Sequence, residues 1–251
     1  MFKLEGKRAL VTGASRGLGW QMAKSLAQQG AHVFLNARDA SLLQQKVNEL
    51  LAEGLRVESL PFDVTDSDAL NRAVSQLEDL YQGVDILIAN AGIQYRSPIS
   101  EFEKSDFTRV INTNLTAVWE LAKVCSRSMV KNSWGRIIFT GSITAELGRA
   151  TISGYIAAKG GVHALCRQLA VELGDKGVTV NTIAPGYFST EMNSALVSDK
   201  DFSEWVCSRV PVRRWGSPQE IGPAAVFLAS NEAAYVNGHV LTVDGGFSIS
   251  M

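Results

Sequence analysis

A chain of 251 residues is long enough to bury a substantial core without disulfides or metal staples and short enough to form one α/β domain, expected here over residues 1–251. With 46% hydrophobic residues, 20% charged residues and a formal net charge of -1, it is neither a disordered chain nor one drawn electrostatically to nucleic acid, so a small-molecule ligand is expected. The first residues lack the apolar run of a signal peptide and no later segment approaches about 18 uninterrupted apolar residues, which points to a cytoplasmic protein without a membrane span.

Residues 8–12 read as a first buried strand that runs into Gly13-Ala14-Ser15-Arg16-Gly17-Leu18-Gly19, where a helix over 18–29 begins. Glycines at such a junction permit a tight turn and let the backbone and the helix N-terminus approach a pyrophosphate. The spacing is G-x-x-x-G-x-G, not the G-x-G-x-x-G of the general dinucleotide fingerprint, so the turn alone is a weak signal. The second strand, 32–36, ends in Leu35-Asn36-Ala37-Arg38. No carboxylate stands where an NAD site places one for the ribose hydroxyls, while Arg38 and Arg16 suit a 2′-phosphate, which favours NADP over NAD. Asp39 is expected to point away and cap the next helix, 40–53.

A strand over 56–62 is weakened by Pro61, which cannot donate a ladder hydrogen bond. A helix over 68–81 follows, then a strand over 85–90 ending in Asn90-Ala91-Gly92, and a single long helix over 107–130 that carries Asn114. The strand 136–140 ends in Gly141-Ser142, a helix over 155–174 opens on Tyr155-Ile156-Ala157-Ala158-Lys159, and a strand covers 178–184. Residues 190–215 are polar and interrupted, as a substrate lid would be. Ser217-Pro218-Gln219-Glu220 carries a helix-start signature for a helix reaching about 229, and 239–243 is the last strand. This βαβα alternation predicts a Rossmann-type, doubly wound parallel sheet of about seven strands with helices on both faces.

Tyr155 and Lys159 lie four apart, on one face of a helix. A phenol of ordinary pKa is a poor base at neutral pH, and an adjacent ammonium favours its phenolate, so the pair is expected to act as a tuned acid/base between alcohol and ketone. Ser142, at a strand's carboxyl end, is placed to hydrogen-bond the substrate oxygen. Cys125, Cys166 and Cys207 read as reduced, structural thiols. His32, His163 and His239 show no metal-ligand spacing, so no metal is expected, and the five tryptophans read as packing residues.

Taken together, Thr12 to Gly19, Asp63-Val64, Asn90-Ala91-Gly92, Asn114, Ser142, Tyr155-x-x-x-Lys159, Pro185-Gly186 and Val243-Asp244-Gly245-Gly246 resemble the short-chain dehydrogenase/reductase family over essentially the whole chain. The resemblance implies a nicotinamide-dependent oxidoreductase with Asn114, Ser142, Tyr155 and Lys159 as its catalytic set. Tyr155 would be the acid/base, Lys159 would bind the nicotinamide ribose and depress the tyrosine pKa, and Asn114 would hold a relay water. Gly13, Ser15, Arg16, Gly17, Leu18, Gly19, Asn36, Arg38, Asp63, Val64, Asn90, Ala91, Gly92, Pro185, Gly186, Phe188 and Thr190 would hold the cofactor together with Tyr155 and Lys159. A homotetramer is implied as well. The segments around Arg38, Arg96, Tyr187 and Arg214-Trp215-Gly216 further resemble the family's gluconate 5-dehydrogenase branch, in which Arg96, Ser142, Glu146, Arg149, Tyr187 and Asn193 are candidates for contact with a polyhydroxy acid. The competing readings are a 3-oxoacyl-thioester reductase of acyl-carrier-protein type, another sugar or polyol reductase, and a non-catalytic nucleotide-binding protein.

Overall fold

The computed structural model describes residues 1–250. Seven parallel strands form one sheet in the order β3-β2-β1-β4-β5-β6-β7. They are β1 (Arg8–Thr12), β2 (His32–Asn36), β3 (Val57–Ser59), β4 (Ile86–Ala89), β5 (Gly135–Thr140), β6 (Val178–Pro185) and β7 (Val240–Val243). Strands covered on both faces need apolar residues in unbroken runs, and β1, β2, β4 and β6 are buried along nearly their whole length.

Alternate side chains feed two cores. Leu10, Phe34 and Phe139 face the layer of α3 (Ser67–Tyr81), α5 (Ala117–Lys131) and α6 (Ser153–Leu173). Val11, Leu35 and Ile88 face the layer of α1 (Gly17–Gln28), α2 (Ala40–Ala52) and α9 (Gly222–Ala229). Each such Leu, Ile or Phe, buried outright, contributes about 1.5–3 kcal/mol, which is why the doubly wound arrangement needs no staples. Cys125, Cys166 and Cys207 are free thiols.

Strand order reverses between β1 and β4, so the chain leaves the carboxyl ends of these neighbours in opposite directions and opens a crevice above them. The expected helix over 107–130 is not continuous: α4 (Lys104–Ile111) and α5 are joined by a π-helical turn at Asn112–Thr116. The lid region holds two short helices, α7 (Ser194–Ser198) and α8 (Lys200–Arg209). The helix start at Ser217 is present as a 3-10 turn leading into α9, with the Glu220 carboxylate accepting from the Ser217 amide at 2.7 Å. Among the described residues, no helix is long and apolar enough to cross a membrane.

Candidate active site

A cleft of about 1340 Å³ lies over the reversal point, lined by the glycine turn, the carboxyl ends of β2, β4, β5 and β6, one side of α4 and the start of the lid region. At its centre the turn is packed to the limit of backbone contact. Gly13 has φ 63°, and a Cβ there would stand 2.9 Å from the Cα of Ala91. A Cβ on Gly19 would stand 2.3 Å from the Gly13 carbonyl oxygen and 2.4 Å from the Asn90 Nδ2. Asn90 locks the assembly: its Nδ2 donates to the Thr12 carbonyl at 3.0 Å, its Oδ1 accepts from Thr140 Oγ1 at 3.2 Å, and its amide donates to Thr12 Oγ1 at 3.0 Å. Three strand ends are thereby tied to one carboxamide.

This turn fits a pyrophosphate. Arg16, the N-cap of α1, makes no side-chain cap, and the first turn holds no acid, so its leading amides face the cleft without an internal acceptor. At the adjoining end, Asp39 caps α2 by accepting from the Leu42 amide at 3.0 Å, as expected, and is thus spent. Arg38 lies in the cleft wall, 74% exposed along its side chain and 3.8 Å from Asp63. Burial opposes ionisation of Asp63, but hydrogen bonds from Thr65 and the nearby Arg38 charge hold its carboxyl below the ordinary value. Asn36 lines the same wall with its Nδ2 already donating to the carbonyls of Leu60 and Phe62, both at 3.0 Å, so it shapes this wall through the backbone of the opposite segment.

Tyr155, Lys159 and Ser142 meet at the floor of the cleft. Lys159 is 3% exposed; its ammonium donates to the Thr140 carbonyl at 2.6 Å and lies 5.6 Å from the Tyr155 ring centre. Burial pushes it down to about 8. The phenol departs from expectation. Burial raises the Tyr155 pKa above its ordinary value, and the groups that pull it back are the Ser142 hydroxyl and the Arg96 guanidinium. The spacing of Tyr155 and Lys159 put both side chains on one face, but the ammonium is turned onto the end of β5. Asn114 does not line the cleft. Fully buried in the π turn, it accepts from the Ile93 amide and donates to the Ile93 carbonyl, both at 2.8 Å, and so clamps the segment after β4.

Beyond Tyr155 the cleft is lined by Arg96, Arg149, Tyr187 and Asn193. Arg149 donates to the Tyr187 hydroxyl at 3.0 Å and lies over the Tyr187 and Phe202 rings, 5.5 and 4.9 Å from their centres. Among the described residues neither Arg96 nor Arg149 has a carboxylate within ion-pair distance. Glu146 does not line the cleft, against expectation. A 3-10 turn at Ile143–Ala145 turns it outward, 78% exposed and 3.8 Å from His163 Nδ1.

A family model described as enoyl-(acyl carrier protein) reductase matches residues 13–248. The chain is 45% identical to the gluconate 5-dehydrogenase of Gluconobacter oxydans over 100% of this chain and 98% of that one. It is 42% identical to the 5-keto-D-gluconate 5-reductase of Escherichia coli K12, over 100% and 99%. The crystal structure of a gluconate 5-dehydrogenase from Burkholderia cenocepacia in complex with NADP and tartrate is similar at a TM-score of 0.96 and 39% identity, covering 100% of this chain and 98% of that chain. The chain belongs to the short-chain dehydrogenase/reductase family. Hydride exchange between a nicotinamide dinucleotide and a CH–OH group follows from that membership.

For this family member, two structural residues escaped sequence reasoning. Thr12 accepts from the amides of Asn90 and Ala91, at 3.0 and 3.1 Å, and Thr140 presents its carbonyl to Lys159. Their strand-end position was the only signal. Gln94, Lys104, Thr108 and Ile152 also line the cleft, and nothing in their spacing marks them.

Proposed function

We propose that this chain is an NADP-dependent oxidoreductase that interconverts D-gluconate and 5-keto-D-gluconate. The observation that carries the substrate is the pair of guanidinium groups, Arg96 and Arg149, facing the cleft beside Tyr155 without carboxylate partners. Cations left unpaired inside a cleft suit an anionic substrate, and an acyl thioester would leave both without a counter-charge. The similarity to a gluconate 5-dehydrogenase and to a 5-keto-D-gluconate reductase supports the same reading.

When bound, the cofactor supplies the hydride for reduction and accepts it in oxidation. The chain does the rest. The uncapped amides of α1 and Arg16 hold the pyrophosphate, Arg38 meets the 2′-phosphate, Asp63 and Val64 line the adenine side, and Pro185, Gly186, Phe188 and Thr190 bound the nicotinamide end. Ser142 donates a hydrogen bond to the substrate oxygen, Tyr155 gives it a proton in reduction or takes one in oxidation, and Lys159 bridges Thr140 and the ribose. Asn114 keeps one further acceptor site and one further donor site for a relay water. Arg149, braced by Tyr187, takes the substrate carboxylate, and residues 190–215 close above it.

Replacing Arg38 with Ala is expected to weaken NADPH binding about tenfold or more while leaving NADH within about twofold, read by equilibrium titration of each cofactor; equal loss for both would remove Arg38 from the 2′-phosphate. Gluconate oxidation with NADP is expected to exceed that of simple secondary alcohols by far more than tenfold in kcat/KM, and Arg149→Ala is expected to raise the gluconate KM about 10- to 100-fold. Activity on acetoacetyl thioesters with none on gluconate or its 5-keto product would move the enzyme to the oxoacyl reductases. The family likeness also supports a homotetramer in the cytoplasm. Trp119 on α5 and Val171 on α6, 44% and 85% exposed, are apolar groups that such an assembly would cover.

A further inference from the structure

We propose that Arg96 is the charge partner of Tyr155, holding the negative charge that forms on the phenol oxygen when its proton passes to the substrate oxygen. The inference rests on the acid/base role given to Tyr155 above.

Four observations carry it. Arg96 and Tyr155 line the same stretch of cleft, although 59 positions separate them. The loop that holds Arg96 is fastened to the start of the tyrosine's own helix: the Ser97 amide donates to the Thr151 carbonyl at 2.9 Å, two residues before α6 begins. Thr151 is a β-branched residue held at φ 71°, a strained conformation that persists only where the surroundings enforce it. The Gln94 Oε1 accepts from Arg96 Nη2 at 3.1 Å and braces the fork on the loop side.

The remaining groups facing Tyr155 leave that task to Arg96. From its own helix comes Lys159, its ammonium donating to the Thr140 carbonyl. From the end of β5 comes Ser142, neutral, and from the segments after β5 and β6 come Arg149 and Tyr187, bonded to each other. Among the described residues no carboxylate is within ion-pair distance of Arg96 to cancel its field. The direction of the tyrosine's titration agrees: Arg96 acts to lower the Tyr155 value, and Tyr155 acts to raise that of Arg96.

The test is an alkaline absorbance titration of tyrosinate in the cofactor-free protein, with the Tyr155→Phe curve subtracted so that only Tyr155 is read. Arg96→Gln is expected to move that midpoint to higher pH by about one pH unit, Arg96→Lys to leave it near wild type, and Arg149→Gln to move it far less. In the pH profile of kcat/KM for gluconate oxidation, Arg96→Gln is expected to lose about tenfold near pH 7 and to recover toward wild type as the pH rises. Arg149→Gln is expected to raise KM without moving the profile. An unmoved midpoint in Arg96→Gln, or an equal movement in Arg149→Gln, overturns the proposal. If the wild-type protein does not oxidise gluconate, the substrate reading fails while the absorbance titration still decides the partnership.

Discussion

Replacing Tyr155 with Phe is expected to lower kcat for gluconate oxidation by at least about 10²-fold while NADPH binds within about twofold of wild type. The ring stays, so the packing of the cleft floor is kept; only the oxygen that carries the proton is lost. Lys159 remains bonded to the Thr140 carbonyl in the variant, because that contact does not involve the phenol. Initial rates and a fluorescence titration of NADPH separate the two effects. A variant that retains more than about a tenth of the wild-type rate would take Tyr155 out of the chemistry.

The second large effect is on the cofactor. Gly19→Ala is expected to weaken NADPH by about 10²-fold or more, because its Cβ would stand 2.3 Å from the Gly13 carbonyl oxygen and 2.4 Å from Asn90 Nδ2. Neither neighbour is a flexible chain end. One is backbone, and the other is the carboxamide that joins the ends of β1, β4 and β5. The turn must therefore open, which misdirects the leading amides of α1 and costs about 1–3 kcal/mol in overpacking. Isothermal titration with NADPH and a thermal melt check both parts, and normal NADPH affinity in this variant would show that the turn does not hold the pyrophosphate.

The sheet was legible because strands buried on both faces must be apolar along their length, and β1, β2, β4, β5 and β6 announce themselves in this way. The weak reading was β3. Only Val57–Ser59 pair, and the run toward Pro61 leaves the ladder. The break between α4 and α5 was hidden, since Asn112-Thr113-Asn114-Leu115-Thr116 has helical periodicity and the bond from Asn114 to Ile93 is a tertiary contact. In the site, helical spacing placed Tyr155 beside Lys159 but did not reveal where the ammonium points. Glu146 was misplaced for a related reason: an irregular segment has no period from which to read direction, and the turn after Ser142 rotates it outward. The proximity of Arg96 to Tyr155 is a product of topology, which brings the ends of β4 and β5 together.

Lys159 works against the fold that carries it. Its ammonium is held at about 8 where the free side chain stands at 10.5, so between those values the unfolded chain binds a proton that the folded chain does not. Stability therefore rises as pH climbs from about 8 to 10.5, and below 8 the folded state bears the whole penalty, on the order of 3 kcal/mol. For a domain with a net stability of about 5–15 kcal/mol, that is a sizeable share given up to keep one cation dry. A ribose hydroxyl that accepts from Nζ relieves part of it, so loading with cofactor doubles as a maturation step. The empty enzyme is the form most open to thermal loss and to proteolysis, and its lifetime in the cell is tied to the size of the nicotinamide pool.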